Sequence, residues 1–427
     1  MKPDAKPTPD AWSPRMWHRR AAKPISIWMF VFILAGLSHI VIPNYRWVLI
    51  HIFTLGVLTN SILVWSQHLT EKFVQQRLPD SQRPRQVYRI YAINIGVIIT
   101  LIGNMLLIPA LTITGATIIA VLMAWHAASL FSQWRSAEGK RFRPIVAAYT
   151  ASALCLPVGA FFGGWLSLDP GNPRLLLAHI AANIGGFAGL AAAASLNILL
   201  PAVWRSKGIS RYLRPSLVLL AAGVAATIVG ALVGLPEIGL IVYVTGWVLS
   251  WQQWLGNVNL AQLSYQSASS ITAVTWLVLS LVYYTATLFF EAEPALPTLA
   301  LLVGFAAQLL LGMMSYLLPT TMGGGPAATR AGLMALNRAG LLRWTLLNGG
   351  LLLWLASDHS WRNVALSLLC LGSLAVFPVF MVRSVKRQRA VITKKAPDPG
   401  PEPAPDLQQV GIGLALLAIV WFAVGAI

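Results

Sequence analysis

Long apolar runs alternate along the chain with short breaks rich in Pro, Gly and charge. About 20 predominantly apolar residues are what an α-helix needs to cross a bilayer. Such runs fall at 25–43, 46–68, 87–108, 110–132, 144–167, 174–203, 214–234, 238–258, 269–290, 296–318, 341–357, 362–382 and 408–427. The pattern predicts an all-α integral membrane protein of thirteen spanning helices. The breaks alternate in charge. One set holds Lys72, Arg77, Arg83, Arg85; Arg135, Lys140, Arg141, Arg143; Arg205, Lys207, Arg211, Arg214; Arg330, Arg338, Arg343; and Arg383, Lys386, Arg387, Arg389. The other set holds Asp169, Glu237, Glu291, Glu293 and Asp358. Positive-inside topology then places the basic breaks and the N-terminus in the cytoplasm, and the C-terminal helix runs outward.

Residues 1–24 are polar, basic and Pro-rich, without the short apolar core of a signal peptide, and read as a cytoplasmic tail. Residues 384–407 read as a basic, Pro-rich cytoplasmic linker that cannot pack a core. It joins a twelve-helix core, 25–383, to the last helix at 408–427.

Composition narrows the partners. The 427 residues are 57% hydrophobic and 10% charged, where a soluble domain carries about 25% charged residues. The net charge of +18 sits in short loops between apolar runs, so it reports topology, and the lipid bilayer rather than nucleic acid is the expected partner. Cys155 and Cys370 stand alone in apolar helices, with no CxxC and no disulfide framework, and read as small buried hydrophobes.

An internal repeat is legible. The segment Asn44-Tyr-Arg46-Trp-Val-Leu49-Ile-His51-Ile52 matches Asn172-Pro-Arg174-Leu-Leu-Leu177-Ala-His179-Ile180 at five of nine positions. Three of those matches are Asn, Arg and His. Helices 6 and 10 share Leu199-Leu200-Pro201 and Leu317-Leu318-Pro319. Helices 2, 6 and 10 thereby become equivalent members of three pseudo-repeated four-helix units, about 25–132, 144–258 and 269–382. The third unit lacks the Arg and the His.

Ionisable groups inside a membrane are expensive and mark function by default. No Asp, Glu, Lys or Arg falls in the middle of a predicted span, so His is the ionisable chemistry left at depth. His39, His51 and His179 fall near the outer ends of helices 1, 2 and 6. His68 and His126 fall toward the inner ends of helices 2 and 4. His18 in the tail and His359 in an outer loop read as solvated. His51 and His68 are about 25 Å apart along one helix, at about 1.5 Å per residue, so they belong to different centres. Neutral imidazole ligates haem iron and copper. The pairing expected outside is His51 with His179 or His39, and inside His68 with His126. Arg46 and Arg174, about one turn outward of their His, suit haem propionates or another anion. The plainer reading, in which each His only hydrogen-bonds a neighbouring helix, stays open.

The remaining polar residues carry less. Asn60, Asn94, Asn104, Asn183, Asn197, Gln252, Gln253 and Gln308 read as interhelical hydrogen-bond partners. Met313 and Met314 beside Tyr316 read as gap-filling. The Gly323-Gly324-Gly325-Pro326 run is a loop breaker without the Lys and Ser/Thr of a phosphate loop. Trp28, Trp47, Trp204 and Trp361 read as an interfacial belt.

Twelve helices in three units, with His at the outer ends of helices 2 and 6, resemble haem–copper oxidase catalytic subunits and the NnrS-type haem-and-copper proteins. The segments His51 to His68, Trp125-His126-Ala127, Ala178-His179 through Pro201, and Ser315-Tyr316-Leu-Leu-Pro319 followed by Gly323–Gly325 look closest to the membrane region ahead of bacterial copper nitrite reductase or multicopper oxidase domains. That likeness spans essentially the whole chain. It implies a multi-pass protein of the bacterial cytoplasmic membrane, haem b or copper as cofactor, and quinol and a periplasmic copper protein as partners. It implies electron transfer or nitrogen-oxide and copper handling.

The departures are specific. Helix 7 (214–234) and helix 10 (296–318), which supply the copper and haem His of the oxidases, contain no His here. Asn183 stands four residues after His179, where the oxidases can place a cross-linked Tyr. Ala181 stands where the narrower family has a second His. The expectation is an oxidoreductase component, not a self-sufficient oxygen reductase. A transporter or channel for a metal or small solute, or a structural subunit, remain alternatives. Against the transporter, no carboxylate falls at mid-span and the units do not form the usual inverted repeat.

Overall fold

The computed structural model describes residues 12, 14–206, 211–290 and 294–423. Lys207, Glu291, Glu293, most of the first 13 residues and the last four of the terminal helix lie outside the described residues. What is described is helix and connection, with no strand among the described residues. Among the described residues, ten helices are long and apolar enough to cross a membrane. The chain is therefore a multi-pass α-helical membrane protein. Its outward surface agrees: Phe30, Val121, Phe161, Val218 and Leu368 sit on helices yet are each more than 60% exposed. In water such a surface would be a large apolar liability, and against lipid it costs nothing.

Each segment predicted to span overlaps helix among the described residues, and that at 362–382 covers two consecutive helices, Ser360–Ala375 and Phe377–Ile392. Three of these helices fall outside the ten: Pro236–Leu255, Gly340–Leu355 and Gln408–Ala423. The last two have 16 described residues each. At about 1.5 Å per residue they reach only about 24 Å, short of a hydrocarbon core of about 30 Å.

The chain folds as two compact units, residues 1–194 with 217–239, and residues 195–216 with 240–427. In the first unit, α1 (Pro14–Ala21) and α2 (Lys23–Leu37) lead into α3 (Tyr45–Val74). Then come α4 (Arg83–Met105), α5 (Pro109–Ser136), α6 (Arg143–Leu166) and most of α7 (Pro173–Val203). Pro at the first or second helical position opens α4, α5, α6 and α7, where its missing N–H has no partner to lose. In α3 the winding changes to π over Ile52–Leu58, and in α7 over Ala181–Gly189. The π winding begins at the residue after His51 in α3 and two residues after His179 in α7. Such π segments are rare and concentrate at functional positions.

Trp28 is buried instead of interfacial, and so is Trp204; Trp361 is exposed. The Trp28 ring lies over Gly56, where an added Cβ would come within 2.6 Å of it. Its Nε1 donates to Asn94 Oδ1 at 2.5 Å. Asn94 and Asn60 exchange amide hydrogen bonds at 2.9 and 3.0 Å, which satisfies both amides in an apolar interior.

The second unit holds α10 (Tyr265–Phe290), α11 (Ala300–Met322), α12 (Pro326–Leu336), α13 (Gly340–Leu355), α14 (Ser360–Ala375), α15 (Phe377–Ile392) and α16 (Gln408–Ala423). Helices α8 (Leu213–Val233) and α9 (Pro236–Leu255) are divided between the units. The opening turns of α11, Ala300–Ala307, are again π. Trp276 covers Gly304 as Trp28 covers Gly56, and its Nε1 donates to Asn348 Oδ1 at 2.8 Å. Gln308 donates to Thr272 at 2.6 Å.

The predicted linker is partly a packed helix. Helix α15 continues through Ile392, with Ser384 and Gln388 buried. Gln388 Nε2 donates to the carbonyls of Pro319 and Gly323 at 2.8 Å each. A basic sequence hides this because the packed face is held by the polar side chains of Ser384 and Gln388, while Lys386, Arg387 and Arg389 are exposed. Beyond the helix, Arg330 grips the exposed Asp398 at 2.7 Å and holds its carboxyl below the usual carboxylate range. Arg343, placed among loop cations by sequence, is buried in the first turn of α13 between the rings of Tyr265 and Phe380.

Candidate functional site

His51 is the seventh residue of α3 and His179 the seventh of α7. Their imidazoles meet, with ring centroids 6.3 Å apart and planes inclined by 33°. Each ring is held by the same device. His51 Nδ1 lies 2.8 Å from the Trp47 carbonyl oxygen, and His179 Nδ1 lies 2.8 Å from the Gly159 carbonyl oxygen. A carbonyl only accepts, so Nδ1 carries the hydrogen in both rings and Nε2 keeps its lone pair. This is the arrangement in which a second hydrogen bond fixes the tautomer of a metal-ligating His.

The spacing decides what two such rings can share. A metal–nitrogen bond of about 2 Å, plus about 1 Å from nitrogen to ring centre, puts two in-line imidazoles about 6 Å apart. The observed 6.3 Å has that value. Direct ring stacking would bring them closer, as it does Trp47 and His51, at 3.8 Å and 19°.

The surroundings make room for His179. A Cβ at Gly163 on α6 would lie 2.9 Å from His179 Cε1, and one at Gly159 would overlap Asn183. The two glycines, one helical turn apart, form a notch that admits the ring and the amide. Asn183 donates to the His179 carbonyl at 2.9 Å, and its amide nitrogen stands 3.3 Å from Nδ1 and 3.5 Å from Nε2, the latter too long to hold that lone pair firmly. Arg46 and Arg174 are exposed, and Arg174 donates to the Leu232 carbonyl at 3.4 Å. His39 stands apart from the pair: it is exposed, bonded to the Gly36 carbonyl and set beside Tyr45. Among the described residues no group of three or more His, Cys, Asp or Glu could hold a metal ion; what this place brings together is two imidazoles.

The inner pair expected from the sequence, His68 with His126, has different partners in the structure. His126 Nδ1 accepts from Arg89 at 3.0 Å. Its Nε2, which must then carry the hydrogen, meets Ser66 Oγ at 3.0 Å. Both nitrogens of a fully buried ring are thus engaged by protein. Arg89, a cation on the same helix as Asn94, supplies the link that loop-based charge counting overlooks. His126→Ala removes the partner of both, and each buried group left unsatisfied costs about 1–3 kcal/mol. The expected result is a lower thermal midpoint in detergent. An unchanged midpoint would contradict this structural role of His126.

His68 instead faces His18. The tail histidine read as solvated is half-buried on α1, with its ring 5.4 Å from that of His68. Compared with known proteins, the chain matches no family model and no curated sequence.

Proposed function

We propose that this chain is a haem- or copper-binding membrane protein of the electron-transfer class, on a scaffold like that of the haem–copper oxidases. His51 and His179 would hold the metal, each offering the Nε2 that its Nδ1 bond leaves with a lone pair. The carrying observation is the pair itself: two rings 6.3 Å apart, each with Nδ1 tied to a carbonyl and Nε2 left for a ligand. When bound, the metal supplies one-electron redox chemistry. The chain's own contribution is to fix both tautomers, to cover His51 with Trp47, and to present Arg46 and Arg174 about one turn away for propionates or another anion.

The three-unit reading with a thirteenth helix belongs to the same proposal. It is supported by π winding at corresponding places in α3, α7 and α11. The same sequence interval separates Trp28 from Trp276, Gly56 from Gly304, and Asn60 from Gln308, and the first two pairs make the same ring-on-glycine contact. Counted back from the shared Leu-Leu-Pro, the place of His179 is taken in the third unit by Pro297. With no imidazole there, the chain works as a redox component and not as an oxygen reductase in its own right. A bacterial cytoplasmic membrane, N-terminus inside, a quinol donor and a periplasmic copper acceptor complete the reading by resemblance.

The test is the absorption spectrum and the iron and copper content of the full-length protein purified from haem- and copper-replete cells. A haem Soret band, or stoichiometric copper, is expected. A colourless protein that stays metal-free after incubation with haem and with copper would end the proposal.

A further inference from the structure

The end of α3 opposite His51 carries a second arrangement of imidazoles. His18 on α1 and His68 on α3 have ring centroids 5.4 Å apart, inclined by 59°. Three of their four ring nitrogens, His18 Nδ1, His18 Nε2 and His68 Nε2, are buried and have no hydrogen-bond partner. Buried polar atoms in native proteins are nearly always satisfied, and an unsatisfied cluster calls for an unseen partner. Two neutral imidazoles bring two lone pairs and two N–H groups to this place. No N–H of one ring reaches the lone pair of the other among these three atoms, whereas both lone pairs can be satisfied at once by one cation.

We propose that His18 and His68 form a copper(I) site, separate from the His51–His179 pair. Three features select the ion. With metal–nitrogen bonds of about 2 Å, rings converging on one ion at a bend of roughly 120°, the angle of a three-coordinate ion with one small exogenous donor, stand between 5 and 6 Å apart, as these do. Two protein donors fall short of the four that structural zinc takes, while imidazole suits copper and copper(I) accepts low coordination numbers. The local charge is positive. Lys72 acts on both rings and Arg83 on His68, the charge of Arg83 being offset in part by Glu71 in a bidentate pair. A monovalent ion pays less for that field than a divalent one. Trp65 walls the site, with its ring 4.9 Å from His18 and 5.6 Å from His68, both edge-on. Apolar aromatic walls keep water from competing for a soft ion.

This assignment stands on its own residues and does not depend on the outer pair. The test uses the full-length protein with His51→Ala and His179→Ala, which silences the outer pair, and titrates copper(I) against a chromogenic chelator. One equivalent is expected. Adding His68→Ala or His18→Ala should weaken it by more than about 100-fold, since loss of merely an outer-shell partner already costs about 10–100-fold. His126→Ala should leave it in place. His18→Cys should keep the copper and bring sulfur into its first shell by X-ray absorption, which separates ligation from folding. Absence of copper(I) binding in the His51→Ala, His179→Ala protein would overturn the proposal. So would retention of full affinity in both His18→Ala and His68→Ala.

Discussion

Replacing either His51 or His179 with alanine is expected to empty the outer site, not to weaken it by half. A two-ligand centre has no spare donor: among the described residues no third His, Cys, Asp or Glu is placed to take over. Loss of an outer-shell partner typically costs about 10–100-fold in metal affinity, so loss of one of two direct ligands should exceed about 100-fold. The double variant should look like either single one, because residues that act as a unit are not additive. The measurement is metal and haem content per protein, with the elution profile as a check that the helices still assemble. Both side chains are half-buried beside a glycine notch or a stacked Trp, so truncation removes ligands without opening the fully packed interior. Full cofactor retention in both single variants would remove the pair from the chemistry.

The second large effect is expected at a residue with no side chain. Gly163→Ala places a methyl group 2.9 Å from Cε1 and 3.1 Å from Nδ1 of His179. Real Cβ atoms essentially never approach so closely, so the ring must rotate or α6 must move away. Rotation breaks the Nδ1 bond to the Gly159 carbonyl and turns Nε2 off its partner ring. Helix displacement opens the close packing between α6 and α7, and overpacking of this kind costs about 1–3 kcal/mol. Either way, metal affinity should fall by about 10–100-fold, the range seen when a ligand loses its orienting partner. Gly164→Ala, one residue along, gives the control, because its Cβ would meet only Ile113 at an ordinary 3.7 Å. Equal metal affinity in the two variants would show that the notch does not position His179.

What the sequence made legible follows from which physical signals are periodic and strong. Apolar runs long enough to span announce themselves, and each overlaps helix among the described residues. The recurrence of Asn, Arg and His in register was readable because those residues are scarce in an apolar chain. It led to His51 and His179, which the structure brings within 6.3 Å. The π winding of α3, α7 and α11 left no such mark, since Ile52–Leu58 and Ala181–Gly189 have the composition of ordinary spanning helix. Pairing at the inner end was beyond depth arguments. Equal depth put His68 with His126, but depth does not say which way a ring faces, and Arg89 and Ser66 engage His126. His18 was hidden by the basic residues around it. The usable signal was Trp17 and Ala21 in the same short stretch, both now buried, which mark one face of α1 as packed. Trp28 was misplaced for a related reason: a Trp near a span end reads as interfacial until Asn94 is known to lie across from its Nε1. The basic stretch through Arg389 hid a packed helix face because Gln388 and Ser384, not apolar residues, make the contact.

The most direct test of one metal shared by two imidazoles is X-ray absorption at the metal edge, iron or copper as purified, on the full-length protein with His68→Ala to silence the inner site. The account predicts scattering from two imidazole rings in the first shell, falling to one or to complete metal loss when His179→Ala is added. A first shell without imidazole scattering, or one that His179→Ala leaves unaltered, would contradict it.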